Sequence, residues 1–172
     1  MISLKGKYQN GHVELLEPIS NSTENIEVIV TFLENINETL DEKSFWGLID
    51  LLNWNEENDL KIIAPLIEKL STYSKDSICN FKEILSEKLY HLDTMAHAKE
   101  IGNRAYTENS HNFSPDIFLF ARSLVVAKGK EFYNRVLHNP SLMPKNVDFE
   151  LLLYAANDAY KVKTGEELKY IP

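Results

Sequence analysis

Hydrophobic and polar positions alternate with a period of two near the start of the chain, which is typical of a β-hairpin. The alternation runs through residues 2–9 and resumes over 12–16, with Asn10-Gly11 between the two segments. Asn-Gly is favoured in two-residue hairpin turns because both turn positions need a positive φ. The pattern therefore predicts two antiparallel strands joined at residues 10–11.

A two-residue turn fixes the register of the hairpin. It places Tyr8 opposite Val13 on the apolar face and Lys7 opposite Glu14 on the polar face, and both are favourable cross-strand pairs. The β-branched run at 26–33 predicts a third strand that is apolar on nearly both faces. Because so small a sheet is marginally stable alone, we expect it to pack on the rest of the chain or to pair with a second copy.

Beyond residue 44 the apolar positions recur with the period of about 3.6 residues that marks helices. The polar segment 35–43 is predicted to be a linker, so the chain divides into a hairpin and strand segment at 1–34 and a helical domain at 44–172. The predicted class is α+β, with an N-terminal β-hairpin and a third strand followed by a mostly α-helical domain of five to six helices.

Local signals predict where these helices begin and which residues they bury. Ser74 or Ser77 begins the third helix and Ser114-Pro115 begins the most apolar one, at 114–127, with a continuation over 130–137. The remaining predictions are a capping box at Thr39 and Glu42, a kink or break at Pro65, a buried stripe of Leu60, Ile63, Ile67 and Leu70, Asp93 as the cap of a short helix over 95–105, and a last helix from Asp148 to about Lys163 with Gly165 as its C-cap.

Composition narrows the classes of function. The 172 residues carry a formal net charge of −8, which argues against nucleic acid as the main partner, because proteins bind duplexes largely by neutralising phosphates. Cys79 is the only cysteine, and no apolar run reaches the length of a signal peptide or a membrane span. We therefore expect a cytoplasmic protein without a membrane segment. Lys5 and Lys7 leave DNA binding by the hairpin as a weaker alternative.

Arg122 is the charged residue inside the most apolar predicted helix. A guanidinium buried there must be paired or must reach solvent. Two interpretations stay open. One is a pocket arginine that binds a carboxylate or phosphate group; the other is a structural salt bridge, for which the sequence offers Asp50, Asp93 and Asp158.

The pocket interpretation defines a set of candidate ligand-binding residues and leaves the catalytic residues unknown. His91 and His97 are six residues apart, which does not match the spacing of a helical metal pair, so no metal site is predicted. Nucleophile-elbow, zincin, phosphate-loop and dinucleotide motifs are missing from the sequence, and no cofactor is expected. The candidate pocket residues are Trp46, Asp50, Tyr90, Asp93, His97 and Arg122.

Four motifs of aromatic, apolar and charged residues mark the helical domain: Phe45-Trp46-x-Leu48-Ile49-Asp50; Leu89-Tyr90-x-Leu92-Asp93-Thr94-x-Ala96-His97-Ala98; Phe118-Leu119-x-Ala121-Arg122 with Val125-Val126-Ala127-x-Gly129-Lys130-x-Phe132-Tyr133; and Pro140-x-x-Met143-Pro144-Lys145 followed by Leu152-Leu153-Tyr154-Ala155-Ala156-x-x-Ala159-Tyr160-x-x-Lys163-Thr164-Gly165. Through them the chain resembles, from about residue 45 to 172, a bacterial family known only as "domain of unknown function 4240". The resemblance implies a compact helical domain and no particular activity.

The N-terminal segment carries a second resemblance. Its residues are Lys5-Gly6-x-Tyr8-x-Asn10-Gly11-x-Val13-x-Leu15-Leu16-Glu17-Pro18 and the run Val28-Ile29-Val30-Thr31-Phe32-Leu33. These resemble small antitoxin-like proteins, which implies dimerisation by strand pairing and binding of a toxin partner. We therefore expect a non-enzymatic, antitoxin-like or immunity-like protein that acts by protein–protein interaction or as a homodimer through the N-terminal strands. The alternative is a ligand-binding protein or enzyme with a pocket around Arg122, Asp93 and His97.

Overall fold

The computed structural model describes residues 6–9, 11–16, 40–108 and 113–169, and its first element is an antiparallel hairpin. Strand β1 (Gly6–Gln9) pairs with β2 (His12–Leu15) in the predicted register, with Tyr8 opposite Val13 and Lys7 opposite Glu14. Gly11 has a φ of 86°, as the turn requires. The predicted third strand at 26–33 lies outside the described residues.

The chain divides into two compact units, residues 1–34 and 35–172. The described part of the second unit contains seven α-helices and two short 3₁₀ segments, so the α+β class is confirmed. The helices are α1 (Glu42–Ile49), α2 (Asp59–Ser71), α3 (Lys75–His91), α4 (Met95–Ala98), α5 (Pro115–Ala127), α6 (Lys130–His138) and α7 (Ala155–Thr164), and the 3₁₀ segments are Pro140–Leu142 and Glu150–Tyr154.

Helix α5 forms the centre of the second unit, as its apolar sequence predicts. Every residue of 121–127 is buried, and α5 packs against α3, α6 and the 3₁₀ segment at 150–154. Ser114 caps its N-terminus by accepting a hydrogen bond from the Ile117 backbone, which confirms the predicted start. Gly129, with a φ of 90°, lies between α5 and α6 and breaks the helical backbone, so α6 is a separate helix and not a continuation of α5.

Helix α2 continues past Pro65 as one helix, which excludes the predicted break but not the predicted kink. Its buried stripe is Ile62, Ile63, Leu66 and Leu70, whereas Leu60 is 67% exposed. Leu60 and Leu66 are six residues apart, which is about 240° around a helix, so the two cannot share a face. The prediction that Leu60 belongs to the core is therefore wrong.

The predicted caps are correct at some helix ends and wrong at others. Ser74 caps α3, and Gly165 ends α7 with a φ of 75°. At α1 the cap is Asp41, which accepts from the Ser44 backbone at 2.7 Å, while Thr39 lies outside the described residues. Thr94, not Asp93, caps α4. Helix α4 ends at Ala98, so the predicted extension of this helix to residue 105 is wrong.

The last predicted helix also begins later than expected. The chain first forms the 3₁₀ segment at 150–154, which follows the buried Phe149, and α7 starts at Ala155. Asp148 is therefore not a helix cap. Among the described residues, no helix is both long and apolar enough to cross a bilayer.

Candidate functional site

Two buried side chains from neighbouring helices donate hydrogen bonds to the C-terminus of α3. The last four carbonyl groups of a helix have no donor within the helix. Arg122 of α5 donates from Nη1 to the Leu89 carbonyl at 2.9 Å, and Tyr133 of α6 donates from its hydroxyl to the Lys88 carbonyl at 3.3 Å. These two side chains therefore cap α3 from the neighbouring helices, and burial raises the pKa of Tyr133 to about 12.

Arg122 also has an ionic partner. Its Nη1 lies 3.3 Å from Oδ2 of Asp93, and its guanidinium stacks 4.4 Å above the ring of Phe118. The arginine side chain is 10% exposed and that of Asp93 is 52% exposed, so the pair joins a buried charge to a solvated one. Burial lowers the pKa of Arg122, and the charge of Asp93 opposes that shift. Asp93 is one of the three structural partners that the sequence offered.

His97 is buried in α4, and both of its ring nitrogens are occupied. Nε2 lies 3.2 Å from the Val136 carbonyl, which can only accept, so Nε2 carries the proton. Nδ1 then accepts from the Thr94 hydroxyl at 2.7 Å. Burial lowers the pKa of His97, with a smaller contribution in the same direction from the charge of Arg122. A neutral imidazole with this tautomer fastens α4 to the end of α6.

The other three candidate residues stand apart from this group. Trp46 is buried, donates from its indole nitrogen to Glu42 at 3.0 Å, and packs on the ring of Tyr133 at a centroid distance of 5.4 Å. Tyr90 is exposed, and Asp50 ends α1. The Asp93 backbone N–H donates to the Tyr90 carbonyl at 2.9 Å, but within the described ranges no side-chain hydrogen bond, ion pair or ring contact joins these three residues to Arg122, Asp93 or His97.

Lys88 is a buried charge that the sequence reasoning missed. Its ammonium lies 3.2 Å from Glu42 and 3.3 Å from Glu87. The hydrogen bonds from Trp46 and Lys88 lower the pKa of Glu42, so this carboxylate fastens α1 to α3. The spacing along α3 could have indicated the burial of Lys88, because Lys88 lies three residues after the buried Leu85 and thus on the same face of the helix.

The described ranges contain no group of three metal-ligating side chains.

Two adjacent cavities flank Lys128, at the end of α5. The first has a volume of about 140 Å³ and is lined by Asp50, Trp54, Lys128 and Gly129 together with apolar side chains. The second is apolar, with a volume of about 320 Å³, and Lys128 is its only charged lining residue. The Lys128 ammonium lies 3.5 Å from the centroid of the Trp54 ring. Of the six predicted pocket residues, Asp50 is the one that lines these cavities.

Trp54 and Lys128 were missed because each follows the end of a helical pattern. Trp54 precedes the polar run at 55–59, and Lys128 precedes Gly129, so both lie in loops that periodicity does not describe.

Comparison with known proteins gives a single family. The family model described as "Protein of unknown function (DUF4240)" matches residues 40–162. No curated protein and no solved structure matches the chain. The matched range contains the α3 cap and both cavities, whereas the hairpin lies before it.

Proposed function

The chain belongs to the DUF4240 family, and from that premise we propose that it is a non-enzymatic binding protein that acts by contact with another protein through its N-terminal hairpin. The observation that carries the proposal is the exposed apolar face of the hairpin. Tyr8, Val13 and Leu15 are 58%, 44% and 45% exposed. Contiguous apolar surface of this kind is typical of interaction sites.

The register of the hairpin places these side chains together. Tyr8 is opposite Val13, and Leu15 is opposite Gly6, so all four positions share one face. A Cβ placed on Gly6 would lie 3.3 Å from a methyl group of Val13, which shows how closely the side chains of this face gather. The other face carries Lys7 opposite Glu14. The hairpin is thus amphipathic, and the side chains of its apolar face are partly exposed to solvent.

The expected occupant is a different protein with a basic rim. A net charge of −8 favours basic partners and opposes close approach of a second copy. An antitoxin-like or immunity-like role in the bacterial cytoplasm fits such a partner. Cys79, the only cysteine, supports that setting because disulfides are rare in reducing compartments.

Two alternatives have less support. A ligand pocket around Arg122, Asp93 and His97 would need an accessible polar atom beside a cavity. Nε of Arg122 has no hydrogen-bond partner among the described residues, but it is buried, and none of the three residues lines either cavity described above. DNA binding by the hairpin would need excess positive charge, and Lys7 faces Glu14 across the strands.

The proposal can be tested by affinity purification of the tagged full chain from its native cells. We expect wild-type protein to recover one specific partner, Val13→Glu to lose it, and His12→Glu to retain it. The two variants add the same side chain to the same strand, one on the apolar face and one on the polar face. Light scattering after gel filtration distinguishes a homodimer. Recovery of the same proteins by both variants would contradict the proposal.

A further inference from the structure

A small cleft between the end of α1 and the junction of α5 with α6 carries two opposite charges that do not pair. The Asp50 carboxylate and the Lys128 ammonium both line this cavity of about 140 Å³. No ion pair or hydrogen bond joins the two side chains in the part of the chain that the structure describes. The space between them can hold a ligand that itself carries one positive and one negative group.

The positive side of the cleft suits a carboxylate. Lys128 is positioned by the Trp54 ring, which in turn packs on Phe149 at a centroid distance of 5.2 Å. Gly129 begins α6 without a side-chain cap, so the first N–H groups of this nine-residue helix have no acceptor within it. The amide groups and the helix dipole both favour an anion at this point, where the Asp50 carboxylate lies, so Lys128 is the group left for a ligand carboxylate.

The negative side of the cleft suits an ammonium group. Asp50 lies at the C-terminus of α1, where the helix dipole makes a carboxylate unfavourable and no basic residue of the last turn compensates it. Its Oδ1 lies 3.5 Å from the position that a Cβ on Gly129 would occupy, so the carboxylate stands next to the start of α6. Asp50 is exposed, and its carboxylate forms no ion pair within the described residues, so it can accept a ligand cation.

The neighbouring apolar cavity gives the third recognition element. It has a volume of about 320 Å³, shares Lys128 with the charged cleft, and is otherwise lined by Leu124, Phe132, Pro144 and Val147. We propose that the Asp50–Lys128 cleft binds a free α-amino acid with an apolar side chain. The ligand carboxylate meets Lys128, the ligand ammonium meets Asp50 beside the start of α6, and the ligand side chain enters the apolar cavity.

The test is a titration of the isotope-labelled full chain followed by NMR, with L-phenylalanine as the probe. We expect saturable shifts of the Trp54 indole N–H and the Gly129 amide. Phenylalaninamide and N-acetylphenylalanine should each bind at least about tenfold more weakly, because each lacks one charged group. Equal responses to all three compounds, or no saturable shift at millimolar concentration, would overturn the proposal.

Variants separate ligand binding from a structural role of the same charges. Asp50→Asn and Lys128→Met should each weaken L-phenylalanine binding at least about tenfold, and Lys163→Met, which changes an exposed lysine of α7, should leave it unchanged. If Asp50 only stabilises the start of α6, Asp50→Asn will shift the melting temperature and leave the titration unchanged, which refutes the site. The unmodified chain with the two blocked compounds decides the question even if a variant fails to fold.

Discussion

Replacing Arg122 with methionine tests whether its guanidinium is a structural cap of α3. The substitution keeps a long side chain in the core, removes the donor to the Leu89 carbonyl, and removes the charge that faces Asp93. Arg122 is buried, so its hydrogen bond to the Leu89 carbonyl is shielded from water, whereas its pair with the half-exposed Asp93 is screened by solvent. The stability of the variant therefore distinguishes a structural cap of α3 from an arginine whose role is to bind a ligand.

The expected magnitude is a balance of three effects. Leaving the Leu89 carbonyl without its donor costs about 1–3 kcal/mol, and losing the stack on Phe118 costs about 0.5–1 kcal/mol. Removing a buried charge recovers part of its desolvation cost, which is why apolar replacements of buried ion pairs are often tolerated. We expect a net loss of about 1–2 kcal/mol in the free energy of unfolding.

The Asp93→Asn variant should be milder. It leaves Arg122 without its countercharge but keeps the bond to Leu89, and Asp93 is half exposed, so solvent already screens the pair. We expect a loss of about 0.5–1 kcal/mol. Because the two residues are in contact, the double variant should lose less than the sum, with a coupling of about 0.5 kcal/mol.

Urea unfolding followed by circular dichroism measures these changes. The urea dependence should stay constant while the midpoint moves. Arg135→Met is the matched control, because Arg135 is an exposed arginine of α6, and it should change stability by less than about 0.5 kcal/mol. An Arg122→Met protein as stable as this control would refute the capping role and restore the pocket interpretation.

Three further predictions concern His97, Tyr133 and the buried stripe of α2. Burial lowers the pKa of His97, so the imidazole of the unfolded chain takes up a proton at a higher pH than that of the folded chain. The free energy of unfolding should therefore decrease as the pH falls below about 6.5, and it should decrease less steeply in His97→Gln. Urea midpoints that do not change with pH would contradict this prediction. Tyr133→Phe should lose about 1 kcal/mol and, because the pKa of Tyr133 is about 12, should leave the native phenolate titration near about pH 10 unchanged. Leu66→Ala should lower the free energy of unfolding by about 2–5 kcal/mol, because Leu66 is fully buried. Leu60→Ala should lower it by less than about 0.5 kcal/mol, because Leu60 is exposed. Similar losses in the two variants, measured by thermal or urea unfolding, would refute the assigned buried stripe of α2.

Local chemistry made some features of the fold predictable. The hairpin register followed from Asn10-Gly11, because a two-residue turn admits one pairing. Ser114 and Gly165 were placed correctly because a cap and a left-handed C-terminus depend on the few residues around them. The burial of α5 followed from an apolar run that leaves no polar face.

Other features depend on tertiary contacts that periodicity does not contain. Asp93 and Thr94 are both good capping residues, and the choice of Thr94 leaves Asp93 to pair with Arg122 from another helix. Lys88 lies on the buried face of α3, where its ammonium is paired with the Glu42 carboxylate of α1. The cavities at Lys128 lie where loops and helix ends meet, and helical periodicity does not describe such places. Asp50 is therefore the one predicted pocket residue that lines them.

The most direct test of the proposed function is the affinity of the purified partner for the full chain and its hairpin variants, measured by calorimetry at two salt concentrations. We expect Val13→Glu to weaken binding at least about hundredfold, because an unpaired carboxylate would be buried against the partner. We also expect His12→Glu to bind within about threefold of wild type, and salt to weaken the complex. Equal affinities for all three proteins would contradict the assignment of the hairpin face as the binding surface.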